Sequence, residues 1–227
     1  MTVGSLFSGI GGLDLGLERA GMTVKWQCEI DPYCRSVLAH HWPDVPIYED
    51  IHDIQGATPY VDLIAGGFPC QPVSQAAART ERGGGWLWPE MRRVVELLKP
   101  QWVIVENVEG LRYANRGLSE VLSDLAALGF DAEWRVIRAS DLGAPHRRAR
   151  IWLVAHSNAY GESTLTVDEE ASFLSEPPSP ISRWRTLPDL RVAHGVRSRV
   201  LRRERVGNAV VPQVSEFVGR CIMEAAA

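Results

Sequence analysis

The stretch that decides the fold is residues 3–20, VGSLFSGIGGLDLGLERA. Val3–Phe7 is a short apolar run that predicts a strand. In Leu13–Ala20, Leu13 and Leu17 stand four apart and Ala20 three further on, which predicts a helix. Between them Phe7-Ser8-Gly9-Ile10-Gly11-Gly12-Leu13-Asp14 forms a glycine-rich turn. Glycines there permit positive φ and a close approach of a ligand to the backbone. The helix start adds N–H groups that no helical carbonyl uses. In a parallel α/β sheet the first such turn is where a nucleotide-like cofactor sits. The pattern falls short of a full G-x-G-x-x-G, which disfavours a dinucleotide, and a plain tight turn fits the same residues.

Working outward, the alternation repeats. Val24–Ile30, Val61–Ala65, Val103–Val108 and Ile151–Ala155 predict strands, and Tyr33–His41, Met91–Leu98 and Leu118–Leu128 predict helices. Near-continuous apolar strands separated by helices imply a doubly wound, mostly parallel α/β sheet covered on both faces. Asp131–Ala139 adds a strand directly before Ile151, so an antiparallel hairpin is expected at one edge. After Ala155 the pattern fails. Asp168-Glu169-Glu170 and Pro177-Pro178-Ser179-Pro180 read as a loop or linker, and Val214–Ala225 reads as a closing helix after Pro212. The expected division is a main domain of residues 1–156 plus 206–227, with a small irregular segment at 157–205.

The 227 residues are 45% hydrophobic and 23% charged, an ordinary globular composition. No apolar run approaches the length of a membrane helix, and the first residues lack the pattern of a secretion signal. Cys28, Cys34, Cys70 and Cys221 form no CxxC pair, so neither a metal site nor a disulfide framework is expected, and a reduced, cytoplasmic setting fits. The net charge of −4 argues against a generic nucleic-acid binder, but it is unevenly spread. Residues 1–134 carry 10 basic against 18 acidic residues, whereas 183–205 hold eight Arg against Asp189 and Glu204. An Arg-rich end on an acidic body points to a polyanion partner, although solvated surface explains it equally well.

Other positions carry the chemistry. Glu29 ends the second predicted strand, 18 residues after Gly11, where a carboxylate accepts from a pair of ribose hydroxyls. Asp50 follows the run Pro46–Glu49 in the same crevice and suits an adenine amino group. Acids at strand ends also cap helices, as Asp31 before Pro32 is expected to do. In Gly66-Gly67-Phe68-Pro69-Cys70-Gln71-Pro72 a cysteine lies between two prolines at a strand's carboxyl end, which favours a nucleophile over a core thiol. Glu106, in Glu106-Asn107-Val108, faces the same crevice, where apolar surroundings raise a carboxyl pKa; a cap or salt-bridge role is the alternative. Arg148 and Arg150 are two apart and share a face if the segment is extended. Val206–Gln213 forms a turn before the last helix.

In order and spacing these motifs resemble those of the cytosine-5 DNA methyltransferases. Phe7–Gly12 looks like the family's cofactor loop, Gly67-Phe68-Pro69-Cys70-Gln71 its nucleophile loop, and Glu106-Asn107-Val108 its Glu-Asn-Val motif. Arg148-Ala149-Arg150 is similar to its Arg-x-Arg motif, and Gly207-Asn208-Ala209-Val210 to its terminal Gly-Asn motif. The resemblance implies the Rossmann-like fold of S-adenosylmethionine-dependent methyltransferases, S-adenosylmethionine as methyl donor, and a cytosine flipped out of double-stranded DNA. It places Phe7, Ser8, Gly9, Gly11, Gly12, Glu29, Ile30, Asp50, Ile51, Pro69, Leu87, Asn208 and Ala209 around the cofactor. Phe7 would lie along the adenosine, Glu29 bind the ribose, Asp50 the adenine amino group, and Asn208 and Ala209 close the methionine end. Ile30 stands where the family often has an aromatic, and His146 where Gln is more usual.

For catalysis the resemblance implies that Cys70 attacks C6, Glu106 stabilises charge near N3 and the amino group, Arg150 holds the O2 side, and Arg148 orients Glu106 or neutralises nearby charge. Gln71 and Ser74 would contact the flipped nucleotide or its phosphate, and Arg183, Arg197, Arg199 and Arg202 the DNA backbone. Residues 157–205 would form a reduced target-recognition segment, and a restriction endonuclease or an accessory subunit is an expected partner. A partner-dependent or catalytically idle DNA-binding subunit, and an RNA cytosine methyltransferase, are the competing readings. A binding module needs none of Cys70, Glu106, Arg148 and Arg150.

Overall fold

A computed structural model of the chain describes residues 1–69, 85–113, 117–161 and 209–226. Seven strands form one sheet: β1 Thr2–Leu6, β2 Thr23–Cys28, β3 Ile47–Tyr48, β4 Leu63–Gly66, β5 Trp102–Val108, β6 Phe130–Arg138 and β7 Ala149–Ser157. Among the described residues the α-helices are α1 Gly12–Arg19, α2 Pro32–His41, α3 Trp88–Leu98, α4 Leu118–Ala127 and α5 Pro212–Ala225. The strand order is β3-β2-β1-β4-β5-β7-β6. All neighbours are parallel except the pairs that β7 makes with β5 and β6.

The expected edge hairpin is present, with β7 inserted between β5 and β6. That insertion sets Arg150 opposite Val108 and diagonal to Glu106. Local chemistry explains the helix ends. Asp31 caps α2, accepting from the Cys34 N–H at 3.0 Å, with Pro32 in the first turn. Helix α3 starts at Trp88, three residues ahead of the predicted Met91, with Pro89 in its first turn, and Pro212 occupies the first turn of α5.

Strand alternation divides the core in two. On β5, Val103 and Val105 join Met91, Val94, Val121 and Leu125 of α3 and α4 on one face. Trp102 and Ile104 join Leu13 and Leu17 of α1 and Phe217, Val218 and Ile222 of α5 on the other. Two-sided burial is why β5 reads as an unbroken apolar run until Glu106. Helices α1 and α5 touch at Gly16, where a Cβ would overlap the Ser215 hydroxyl and the Pro212 carbonyl. Residues from opposite ends of the chain therefore meet beside the first turn. Among the described residues no helix is long and apolar enough to cross a membrane.

Candidate active site

The turn after β1 is held from three sides. Gly9 and Gly11 have φ of 56° and 83°, and Phe7 shares the left-handed region at 53°, a conformation that costs a side-chain-bearing residue about 1–3 kcal/mol. A Cβ on Gly11 would run into the Trp42 ring, and one on Gly12 into the backbone carbonyl of Val210. Glycine is thus required at both positions, and the second contact brings the segment after Ala209 onto the turn. Glu29 is anchored by backbone: its Oε2 accepts from the Gly9 N–H at 2.7 Å and its Oε1 from the Asp31 N–H at 2.8 Å. Each oxygen retains accepting capacity, so two neighbouring hydroxyls suit it.

Asp50 ends the adjacent β3 path. It accepts from the His52 N–H at 2.9 Å and from His52 Nδ1 at 2.6 Å, and these bonds hold its carboxyl below the usual range, keeping it an ionised acceptor. Ile51 is buried, but Ile30 is 73% exposed, a bare aliphatic surface beside Glu29. Phe7 and Leu87 both pack partly buried against the first core, so the structure puts them on one side of the sheet.

The second cluster lies at the end of β5. Alternation sends Glu106 and Asn107 to opposite faces. Glu106 is 8% exposed; its Oε1 lies 3.3 Å from Arg150 Nε, and a Cβ on Gly67 would be only 2.9 Å from its Oε2. Burial raises its pKa, opposed by the charges of Arg150 and Arg148. Burial also lowers the pKa of Arg148. Asn107 clamps the loop after β4: its Nδ2 donates to the Phe68 carbonyl at 3.0 Å while its Oδ1 accepts from the Val108 N–H at 2.8 Å. The Phe68 ring is buried against Trp86 and Trp88 at 5.1 and 5.7 Å. The backbone of Phe68 and exposed Pro69 thus leads into Cys70 from a fixed point.

One expectation is corrected. Arg148 precedes β7 and has φ of 28°, so it does not share a face with Arg150 by extended spacing. It turns instead toward the Ala209 carbonyl, to which it donates at 2.5 Å, while still lining a cleft with Glu106, Arg150 and Trp152. Cys70, Gln71, Ser74, Arg183, Arg197, Arg199, Arg202 and Asn208 lie outside the described residues.

Sequence reasoning missed the clamping role of Asn107 and a buried polar group under the turn. Asp14 is 0% exposed and accepts from Gln27 Nε2 at 3.0 Å. Its position on the buried face of α1, between Leu13 and Leu17, was the signal.

The sequence matches the family model for C-5 cytosine-specific DNA methylase over residues 1–193. It is 40% identical over 164 residues to the type II methyltransferase M2.BsuMI of Bacillus subtilis, covering 68% of this chain and 42% of that protein. It is 37% identical over 166 residues to M.NlaIV of Neisseria lactamica, covering 65% and 39%. The chain therefore spans about two fifths of the length of these relatives. Among solved structures it resembles a DNA modification methyltransferase encoded within an E. coli prophage, with a TM-score of 0.64 and 25% identity over 84% of this chain and 56% of that one. The S. pombe Dnmt2 methyltransferase shares the fold at a TM-score of 0.62 and 20% identity, over 71% and 52%. The fold is that of the Rossmann-like methyltransferases, and the chain belongs to the C-5 cytosine-specific DNA methylase family.

Proposed function

We propose that this chain is a DNA (cytosine-5-)-methyltransferase that uses S-adenosylmethionine and forms a covalent bond between Cys70 and C6 of a flipped-out cytosine in duplex DNA. The observation that carries the reading is the arrangement at the end of β5. There a buried carboxyl, Glu106, meets Arg150 on one oxygen and has the other where only a glycine at position 67 leaves room, while Asn107 holds the Phe68 carbonyl on the way to Cys70. A structural salt bridge explains the ion pair but not the coupling to a Pro-Cys loop.

The residues present fit the cofactor. Gly11 and Gly12 clear space at the turn, Glu29 offers an oriented carboxylate to a diol, and Asp50 offers an ionised acceptor beside buried Ile51. Bound there, S-adenosylmethionine supplies an electrophilic methyl group. The chain's own residues do the rest. The Cys70 thiolate adds to C6, breaking ring aromaticity and making C5 enamine-like. Glu106, whose carboxyl pKa burial raises, shares a proton with N3 as negative charge builds on the ring. Arg150 holds Glu106 and reaches the O2 side, and Arg148 ties the Ala209 turn to the same cleft. After C5 is methylated, loss of its proton to a base re-forms the C5–C6 double bond and expels Cys70. The Arg-rich residues Arg183, Arg197, Arg199 and Arg202 contact DNA phosphates, which offsets the few kcal/mol, on the order of a base-pair's stacking, that flipping costs. Because the named relatives are type II methyltransferases, a restriction endonuclease or an accessory subunit is the proposed partner.

The test is transfer of isotope-labelled methyl from S-adenosylmethionine to duplex DNA of diverse sequence, with the product nucleoside identified by mass spectrometry. 5-Methylcytosine in DNA is the expected product. Label in RNA alone would replace the DNA reading with the RNA one. DNA binding without label in either would favour the idle subunit.

A further inference from the structure

Beneath the glycine-rich turn lies a polar chain sealed from solvent. Ser5, Asp14 and Gln27 are each 0% exposed, and Ser8 is buried. Gln27 Nε2 donates to Asp14 Oδ2 at 3.0 Å, the Ser5 hydroxyl donates to Asp14, and the Ser8 hydroxyl donates to Ser5 Oγ at 2.9 Å. Ser8 also reaches the backbone carbonyls of Ser5 and Cys28. The chain thus links β2, α1 and β1 to the turn that carries Ser8 and Gly9, and Gly9 is the residue that anchors Glu29.

Two acceptors in it, Asp14 Oδ1 and Gln27 Oε1, have no hydrogen-bond partner among the described residues. An orphaned buried acceptor is costly, and two of them on groups already joined by one bond call for a donor. The electrostatic surroundings do not favour a carboxylate. Glu18, on the next turn of α1, is the charged group acting on Asp14, and it opposes ionisation. Its hydrogen-bond partners among the described residues, Ser5 from β1 and Gln27 from β2, are uncharged. No cation is among its electrostatic partners in the described residues. Bonds from Ser5 and Gln27 favour the ionised form, but burial outweighs them.

We infer that Asp14 is a positioning residue that holds the cofactor turn in its protonated form, its carboxyl proton serving the acceptors that Ser5 and Gln27 leave unpaired. Ionisation removes the donor that Asp14 Oδ1 and Gln27 Oε1 call for and leaves a charge without a cation beside it in the sealed layer, which disturbs the packing of α1 on β2 beneath the turn and shifts Gly9 and with it Glu29. Asp14 touches no substrate; it acts through Ser8 and Gly9. This rests on the reading of the turn as an S-adenosylmethionine site. The consequence is that cofactor affinity falls as pH rises through neutrality, because burial pushes Asp14 up from 3.8 to about 7. If only the protonated form binds, affinity drops about tenfold between pH 6 and pH 8.

The experiment is calorimetric binding of S-adenosylmethionine to the full chain at pH 6 and pH 8, for wild type, Asp14→Asn and Ser5→Ala. Asparagine keeps the shape and stays neutral. The ligand's amino group titrates alike with every protein, so the difference between proteins isolates Asp14. Wild type should weaken about tenfold more than Asp14→Asn. Ser5→Ala should bind more weakly at pH 6 and, having lost a bond that favours the ionised form, should lose affinity at a higher pH than wild type. Infrared difference spectra should show a protonated carboxylic acid band in wild type at pH 6 that is absent from Asp14→Asn, a readout that does not need the ligand. Equal pH dependence in wild type and Asp14→Asn, or absence of that band difference, would overturn the inference while leaving the cofactor reading intact. No binding by wild type at either pH would instead overturn the cofactor reading, and with it this consequence.

Discussion

Asn107 gives the sharpest test of how the fold holds the chain that leads to Cys70, the proposed nucleophile. Its two bonds run in opposite senses, donating to the Phe68 carbonyl and accepting from the Val108 N–H, and the side chain is 5% exposed. Asn107→Asp keeps the acceptor for Val108 but sets a carboxylate oxygen against the Phe68 carbonyl at about the same 3.0 Å. Two acceptors face each other, so the new carboxyl is forced to take up a proton that it can donate. At low pH the donated bond is restored; at high pH it is lost, and an unpaired charge is buried beside the loop. A buried hydrogen bond to a group left unsatisfied is worth about 1–3 kcal/mol, which corresponds to a roughly 5- to 150-fold loss in the population of the aligned loop. For a protein of this size the same loss lowers Tm by about 2–12 °C. The assay is single-turnover methyl transfer against pH for wild type, Asn107→Asp and Asn107→Ala, with Tm measured alongside. Asn107→Asp should recover toward wild type as pH falls, and Asn107→Ala should stay low throughout. Parallel profiles for the two variants would refute the clamp.

Three further outcomes follow from the same geometry. Because burial raises the Glu106 pKa, its proton is held beyond the usual carboxylate range and lost as pH rises, so the wild-type single-turnover rate should fall on the alkaline side; Glu106→Gln should remove that limb and lower the rate by about 10²–10³-fold, and an unchanged limb would exclude Glu106 as the acid. Asp14 binds its proton more tightly folded than unfolded, so its contribution to stability is full below 3.8 and lost as pH rises to about 7. Urea denaturation should therefore show Asp14→Asn gaining on wild type by up to about 4 kcal/mol between pH 4 and pH 8, and a constant difference would contradict the burial argument. Gly12→Ala drives a methyl group into the Val210 carbonyl; cofactor affinity and Tm should both drop, at a cost of about 1–3 kcal/mol, and an unchanged Tm would show that the closing segment does not rest on the turn.

The strand, glycine turn and helix at residues 3–20 were legible because each obeys a local rule: apolar run, positive φ, three-and-four spacing. The two-sided burial of β5 was legible from its unbroken Trp102–Val105 run, and the edge hairpin from two strands with little between them. The insertion of β7 beside β5 was not, because strand order is settled by non-local pairing, yet it is what brings Arg150 to Glu106. Arg148 was misread for a related reason. Two-residue spacing fixes a face only in extended backbone, and its φ of 28° departs from that. Glu29 and Asp50 stood out as acids at strand ends, and Asp31 proved to be the helix cap. Asp14 escaped notice because an acid in an amphipathic helix looks solvated until the packing of α1 on the sheet seals it.

The central claim is that Cys70 attacks a cytosine ring under the guidance of Glu106 and Arg150. It is tested most directly by incubating the protein with S-adenosylmethionine and duplex DNA in which 5-fluorocytosine replaces cytosine. Fluorine at C5 cannot leave as a proton does, so turnover halts with the enzyme bound to the base. The account predicts a denaturation-resistant protein–DNA adduct with wild type, whose crosslinked peptide contains Cys70, and none with Cys70→Ala. An adduct that survives Cys70→Ala, or no adduct from wild type that binds both DNA and cofactor, would contradict it.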